Sequence, residues 1–149
     1  MNEKNIFIAR LLTYTGITPF LFFGMAVVLQ ASGLNYNLAL VAYGAVIMSF
    51  LCGIHWAVFL FFSQKCSRNL LLHSNAITLV GWLSLLSVMS YLTLVLQILC
   101  FLYLLIIDLE IYRNKVIPSW FFHLRLNATL IVVSLLVVTA WYSYSISPS

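Results

Sequence analysis

Charge is what this chain has least of. Charged residues make up 7% of the sequence, against about 25% in a soluble domain. The acids are Glu3, Asp108 and Glu110 alone. With 64% hydrophobic residues and a mean hydropathy of +1.08, a soluble fold of this size could not keep its apolar surface from water. The 7 Lys and Arg residues are too few and too scattered for a nucleic-acid footprint, so no nucleic-acid partner is expected. The three cysteines, Cys52, Cys66 and Cys100, form no CxxC pair, and two of them lie in apolar runs. They read as free thiols acting as small hydrophobes rather than as a disulfide framework. No GxGxxG, P-loop, HExxH or Ser/His/Asp pattern is present, so neither a catalytic residue nor a cofactor or metal is expected. There is no long linker, low-complexity tract or evident internal repeat. Residues 1–149 read as one membrane domain.

What the sequence does have is long apolar runs. A spanning helix needs about 20 mostly apolar residues. Five such stretches are expected: Leu11–Gln30, Leu38–Phe62, Leu70–Met89, Leu92–Ile111 and Leu126–Tyr144. The third and fourth are parted only by Ser87–Thr93. Taken as one helix, Leu70–Ile111 would run about 63 Å, roughly twice the hydrocarbon core, so it must fold back. The N-terminal run lacks an A-x-A-like cleavage site and reads as the first span rather than a removed leader.

The cations then order the topology. With the N-terminus cytoplasmic, Lys4, Arg10, Lys65, Arg68, Arg113, Lys115 and Arg125 all fall on one side, and the opposite loops and the C-terminal tail carry no charge. This is the positive-inside pattern, and an extra or missing helix would scatter it. The expected fold is therefore an all-α bundle of five transmembrane helices in contact with the lipid bilayer, its C-terminus outside. Pro19 should kink the first helix. Pro118 breaks the chain before Ser119–His123, an aromatic cluster suited to lying on the membrane interface.

Polar side chains inside the spans are the candidates for function. In the second span Ala45, Ser49, Gly53 and Ala57 recur every fourth residue, a small-residue stripe expected to pack against another helix. His55 points roughly 140° from that stripe, which would make this helix central in the bundle. Asp108 lies near the cytoplasmic end of the fourth span, and Thr93, Gln97 and Cys100 share its face. Arg125 opens the fifth span on the same side and is placed to pair with Asp108. Ser74, Thr78 and Gly81 form a strip on the third span, and Asn127 and Ser134 share a face of the fifth. Cys52 and His55 have no third ligand at a useful spacing.

The string Tyr43-Gly-Ala-Val-Ile-Met-Ser-Phe-Leu-Cys-Gly-Ile-His-Trp56 resembles a domain-of-unknown-function family of small membrane proteins that includes transmembrane protein 69. Pro19-Phe20, Asp108, Pro118 with Trp120, and Leu124-Arg125 also fit its pattern, so the likeness covers nearly the whole chain. The chain departs from it at Leu126-Asn127-Ala128, where a more threonine-rich string is expected. The resemblance implies a bacterial or mitochondrial inner membrane and no particular activity. It groups His55, Trp56, Asp108 and Arg125 into one candidate cluster. The expectation is a non-enzymatic bundle that binds a small hydrophobic ligand or a membrane-protein partner at a cytoplasm-facing pocket, or an assembly subunit. The alternatives are a small transporter or proton-coupled carrier, and a membrane haem protein using His55 and His73.

Overall fold

The computed structural model describes residues 2–86 and 90–146. Among these residues six α-helices follow one another: α1 (Glu3–Thr15), α2 (Thr18–Val28), α3 (Tyr36–Phe62), α4 (Leu70–Ser84), α5 (Ser90–Arg113) and α6 (Ser119–Ser145), and a 3₁₀ turn at Ser63–Lys65 follows α3. Among the described residues there is no strand. Four helical stretches are long and apolar enough to cross a membrane: Glu3–Val28, Tyr36–Lys65, Tyr91–Arg113 and Ser119–Ser145. The third expected span is apolar but shorter. Its helix has 15 residues, about 22 Å at the usual rise, followed by a turn to Leu86. Part of the expected Ser87–Thr93 hairpin turn and the end of the C-terminal tail lie outside the described residues.

The first span is α1 and α2 with a break between them, and it begins at Glu3 rather than Leu11. Local chemistry explains the break. Pro19 has no N–H to offer the Thr15 carbonyl four residues back. Thr18 Oγ1 donates to that carbonyl instead, at 2.7 Å. The next carbonyl, of Gly16, accepts from the Tyr43 hydroxyl of α3 at 2.9 Å. Freed backbone acceptors are thus answered by side chains, as a non-aqueous surrounding demands. The link to α3 turns through Gln30 and Gly33, with φ of 51° and 119°, and Asn35 caps α3 by accepting from the Leu38 N–H.

Packing buries α5 most deeply, against α6, α3 and α4. α3 meets α2, α4 and α5; α6 meets α5, α2 and α1. The main core joins Phe20, Leu40, Met48, Leu94, Leu104 and Leu136, all nearly or fully buried. A smaller cluster of Leu70, Ile107 and Ile111 sits at the end that holds Lys65 and Lys115. There Asn114 Nδ2 donates to the Lys65 carbonyl at 2.9 Å, and Arg68 pairs with Glu110 at 3.2 Å, so the α3–α4 and α5–α6 loops are neighbours. The 119–123 aromatics do not form a separate surface segment. They are the first turns of α6, because Pro118 suits a helix start and Phe122 is buried against the Tyr112 ring, stacked at 4.7 Å.

The small-residue stripe of α3 is divided within the bundle. Of the small-residue stripe on α3, Ala45 is buried but Ser49, Gly53 and Ala57 are exposed on the outer face. A Cβ at Gly53 would meet nothing within 4 Å. The close approach occurs at Gly44, where a Cβ would sit 2.2 Å from Gln97 Oε1. Gln97 is fully buried, and its Nε2 donates to the Val41 carbonyl at 2.7 Å. The face of α5 holding Thr93, Gln97, Cys100 and Asp108 is buried as its spacing predicts, whereas Asn127 and Ser134 of α6 are exposed and Thr129, Thr139 and Ser143 face inward instead. The contrast between the two glycines is testable. Gly44→Ala should cost on the order of 1–3 kcal/mol as overpacking and lower the thermal midpoint in detergent, because the bonded Gln97 cannot withdraw freely. Gly53→Ala should leave that midpoint unchanged or raise it.

Candidate functional site

A carboxylate inside a bundle must be neutralised and hydrogen-bonded or it will not stay ionised there. Asp108, one and a half turns before the end of α5, is 3% exposed. Its two oxygens are taken by two different helices. His55 of α3 donates through Nε2 to Oδ1 at 2.9 Å. Arg125 of α6 donates through Nε to Oδ2 at 3.1 Å. His55 and Arg125 are themselves 2% and 8% exposed. Three helices therefore converge on one side chain.

The sequence-derived cluster is brought together in three of its four members. Trp56 is not among them: it follows His55 on the helix, points about 100° away, and is 40% exposed on the outside of the bundle. His73 lies elsewhere, sharing a hydrogen bond between its Nδ1 and the Tyr103 hydroxyl, so the two histidines considered for haem ligation serve different partners. Among the described residues no group of three or more His, Cys, Asp or Glu side chains could hold a metal ion.

The triad is satisfied on the carboxylate but not on its partners. Arg125 Nη2, His55 Nδ1 and the Thr129 hydroxyl are buried without a hydrogen-bond partner among the described residues. Arg125 and Thr129 are one turn apart on α6, and both line a cavity of about 370 Å³. Its walls come from α1, α2, α3 and α6, with Phe101 of α5 behind. Ile17 and Phe20 lie at the break in the first span, and Ile47, Leu51 and Ile54 line it from α3. Leu12 and Phe50 also line the cavity and are largely exposed, so it reaches the outer, apolar surface of the bundle. Sequence reading missed Thr129; the signal was there, a hydroxyl four residues after Arg125 and hence on its face.

These features define the class: an all-helical bundle with membrane-spanning character, a buried His–Asp–Arg triad and a side cavity against one member of it. Residues 6–141 match the model of a family described as protein of unknown function (DUF3429), and the chain belongs to that family. No curated protein and no solved structure matches the chain.

The triad makes a stability prediction. Asp108→Asn keeps the shape but leaves the guanidinium buried without its counter-charge, and should cost on the order of 3–5 kcal/mol, read as a fall in the thermal midpoint in detergent. Replacing both charges, Asp108→Leu with Arg125→Met, should recover much of that loss. A double variant no more stable than Asp108→Asn alone would mean that the pair is not what holds α5 to α6.

Proposed function

We propose that this protein binds a small hydrophobic molecule in the cavity beside Arg125. The observation that carries the reading is an apolar cavity that reaches the outer surface of the bundle and is lined, among otherwise mostly apolar residues, by Arg125 and Thr129 on one face of α6. Small-molecule sites are commonly apolar with a few convergent polar groups and fall in the same range of volumes. His55 and Asp108 would act behind Arg125, holding the guanidinium in place rather than touching the ligand. Trp56 would stay outside the site, at the lipid.

Native mass spectrometry of the gently purified protein tests this. A reproducible bound mass is expected, lost in Thr13→Trp. Thr13 lines the cavity from α1, a helix with no buried residue, so an indole there fills the space without disturbing the core. A bare wild-type mass would remove the reading. A second polypeptide in the spectrum would favour an assembly role instead, with the exposed Ser49–Gly53–Ala57 face of α3 as the seat of a partner helix.

The proposal extends to setting and orientation. Kinship with transmembrane protein 69, an inner-membrane location and a cytoplasmic N-terminus are parts of the same reading, supported by the clustering of Lys65, Arg68, Arg113 and Lys115 at one end. Cys66 offers a test, since it sits in the α3–α4 loop outside the spans. A membrane-impermeant maleimide should label it in inside-out vesicles and not in right-side-out ones. Burial, and secondarily the Glu110 charge, push the Cys66 thiol above its usual range. The thiolate is the reactive form, so labelling should be slower at neutral pH than for a free cysteine and should accelerate as pH rises.

A further inference from the structure

The basic end of the bundle holds a second recess, separate from the cavity beside Arg125. We infer that it binds the phosphate of an anionic phospholipid, with Lys65 and Lys115 as the countercharge and the Ser67 hydroxyl as a hydrogen-bond donor. This does not depend on the cavity being a ligand site.

The recess is a cleft of about 570 Å³ between the α3–α4 and α5–α6 loops, lined by Gln64, Lys65, Cys66, Ser67, Asn114 and Lys115. Asn114 fixes the spacing of the two loops. Its Nδ2 donates to the Lys65 carbonyl at 2.9 Å and to Ser67 Oγ at 3.3 Å. Ser67 accepts in that bond, so its own proton is left to donate.

Charge points to an anion. The chain has three acids. Asp108 is closed inside the triad, and Glu110 pairs with Arg68 at 3.2 Å. Glu3 belongs to α1, which contributes no residue to the cleft. Among the described residues no acid lines the cleft, and neither Lys65 nor Lys115 has an ion-pair partner. Lysine binds phosphate as a compact point charge. Basic pockets at this level of a helical bundle receive acidic lipid heads.

The backbone agrees. Helices α3 and α5 both end here, and bare carbonyls at helix ends repel an anion. These carbonyls are engaged instead. Ser63 accepts from the Cys66 N–H at 3.1 Å and Lys65 from Asn114. Glu110, Tyr112 and Ile111 accept from the N–H groups of Asn114, Lys115 and Val116. The last two bonds close α5 through a left-handed residue, a place glycine usually takes. Here it is Lys115, with φ of 56°. A lysine held where the backbone favours glycine is a strained choice, of the kind found at ligand clamps.

The surroundings choose lipid over a soluble phosphate. Gln64 and Lys65 follow closely on Leu60, Phe61 and Phe62, the exposed apolar end of α3. A phospholipid with its phosphate in the cleft would lay its chains along them.

The test is a native mass spectrometry titration of the full-length protein in nonionic detergent with phosphatidylglycerol and with phosphatidylcholine of identical chains. Phosphatidylglycerol should bind about tenfold or more tighter, and each lysine removed should take away about fivefold. The variants are Lys65→Gln and Lys115→Gly. The second relieves the backbone, so its thermal midpoint should hold or rise while lipid selectivity falls, and misfolding could not explain the loss. Lys4→Gln removes the same charge elsewhere and should leave selectivity intact. Phosphatidylglycerol should also slow maleimide labelling of Cys66, which lines the cleft, and Lys115→Gly should remove that protection. If the two lipids bind alike, or if Lys4→Gln costs as much selectivity as Lys115→Gly, the site is overturned. If glycerol phosphate at equal concentration displaces phosphatidylglycerol, the ligand is a soluble phosphate ester and the lipid assignment falls.

Discussion

One buried carboxylate organises this molecule. Asp108 cannot sit in an apolar bundle unless both of its oxygens are met, and they are met by residues from two other helices. That requirement fixes the rotation of α3 about its axis, since His55 must face α5, and sets the depth at which α6 begins its descent, since Arg125 must reach the same point. The rest of the packing follows from those rotations. Turning His55 inward brings Val41, Gly44, Ala45 and Met48 to the same interior face. Gln97, three turns from Asp108 on α5, then meets Gly44 so closely that no side chain fits there. Polar and apolar contacts are thus one register seen at two depths.

Much of this was legible in the sequence. The all-helical fold follows from the apolar runs, the hairpin from the excessive length of Leu70–Ile111, and the inward face of α5 from the offsets between Thr93, Gln97, Cys100 and Asp108. The union of His55, Asp108 and Arg125 was anticipated as a grouping but not as a geometry, because sequence spacing carries no information on which helices are neighbours. Both faces of α3 are expected to meet protein; the His55 face does, whereas Ser49, Gly53 and Ala57 are exposed. Small residues at every fourth position permit close packing but do not compel it, whereas a histidine and a glutamine-facing glycine leave little choice. Helix ends were missed for a similar reason: Glu3–Arg10 and Ser119–Arg125 are helical on account of backbone hydrogen bonding, which continues past the point where the side chains cease to be apolar.

The cavity lies beside the break in the first span, where Gly16, Ile17 and Phe20 line it. Pro19 withdraws one backbone donor there, and Thr18 and Tyr43 take up the carbonyls of Thr15 and Gly16. α1 buries none of its own residues, so it contributes a wall without contributing to the core. The part of the bundle with a buried core is the part held by Asp108.

The brevity of α4 has a consequence for the surrounding bilayer. At 15 residues it reaches about 22 Å, well under the roughly 30 Å of an average hydrocarbon core, while α3 and α6, at 27 residues each, exceed it. α4 packs chiefly on α3, and Leu72, Leu79 and Trp82 are exposed elsewhere on its surface. Set in a bilayer, α4 itself would offer a shorter apolar height than α3 and α6 do, a mismatch of the kind that bilayers accommodate by local thinning.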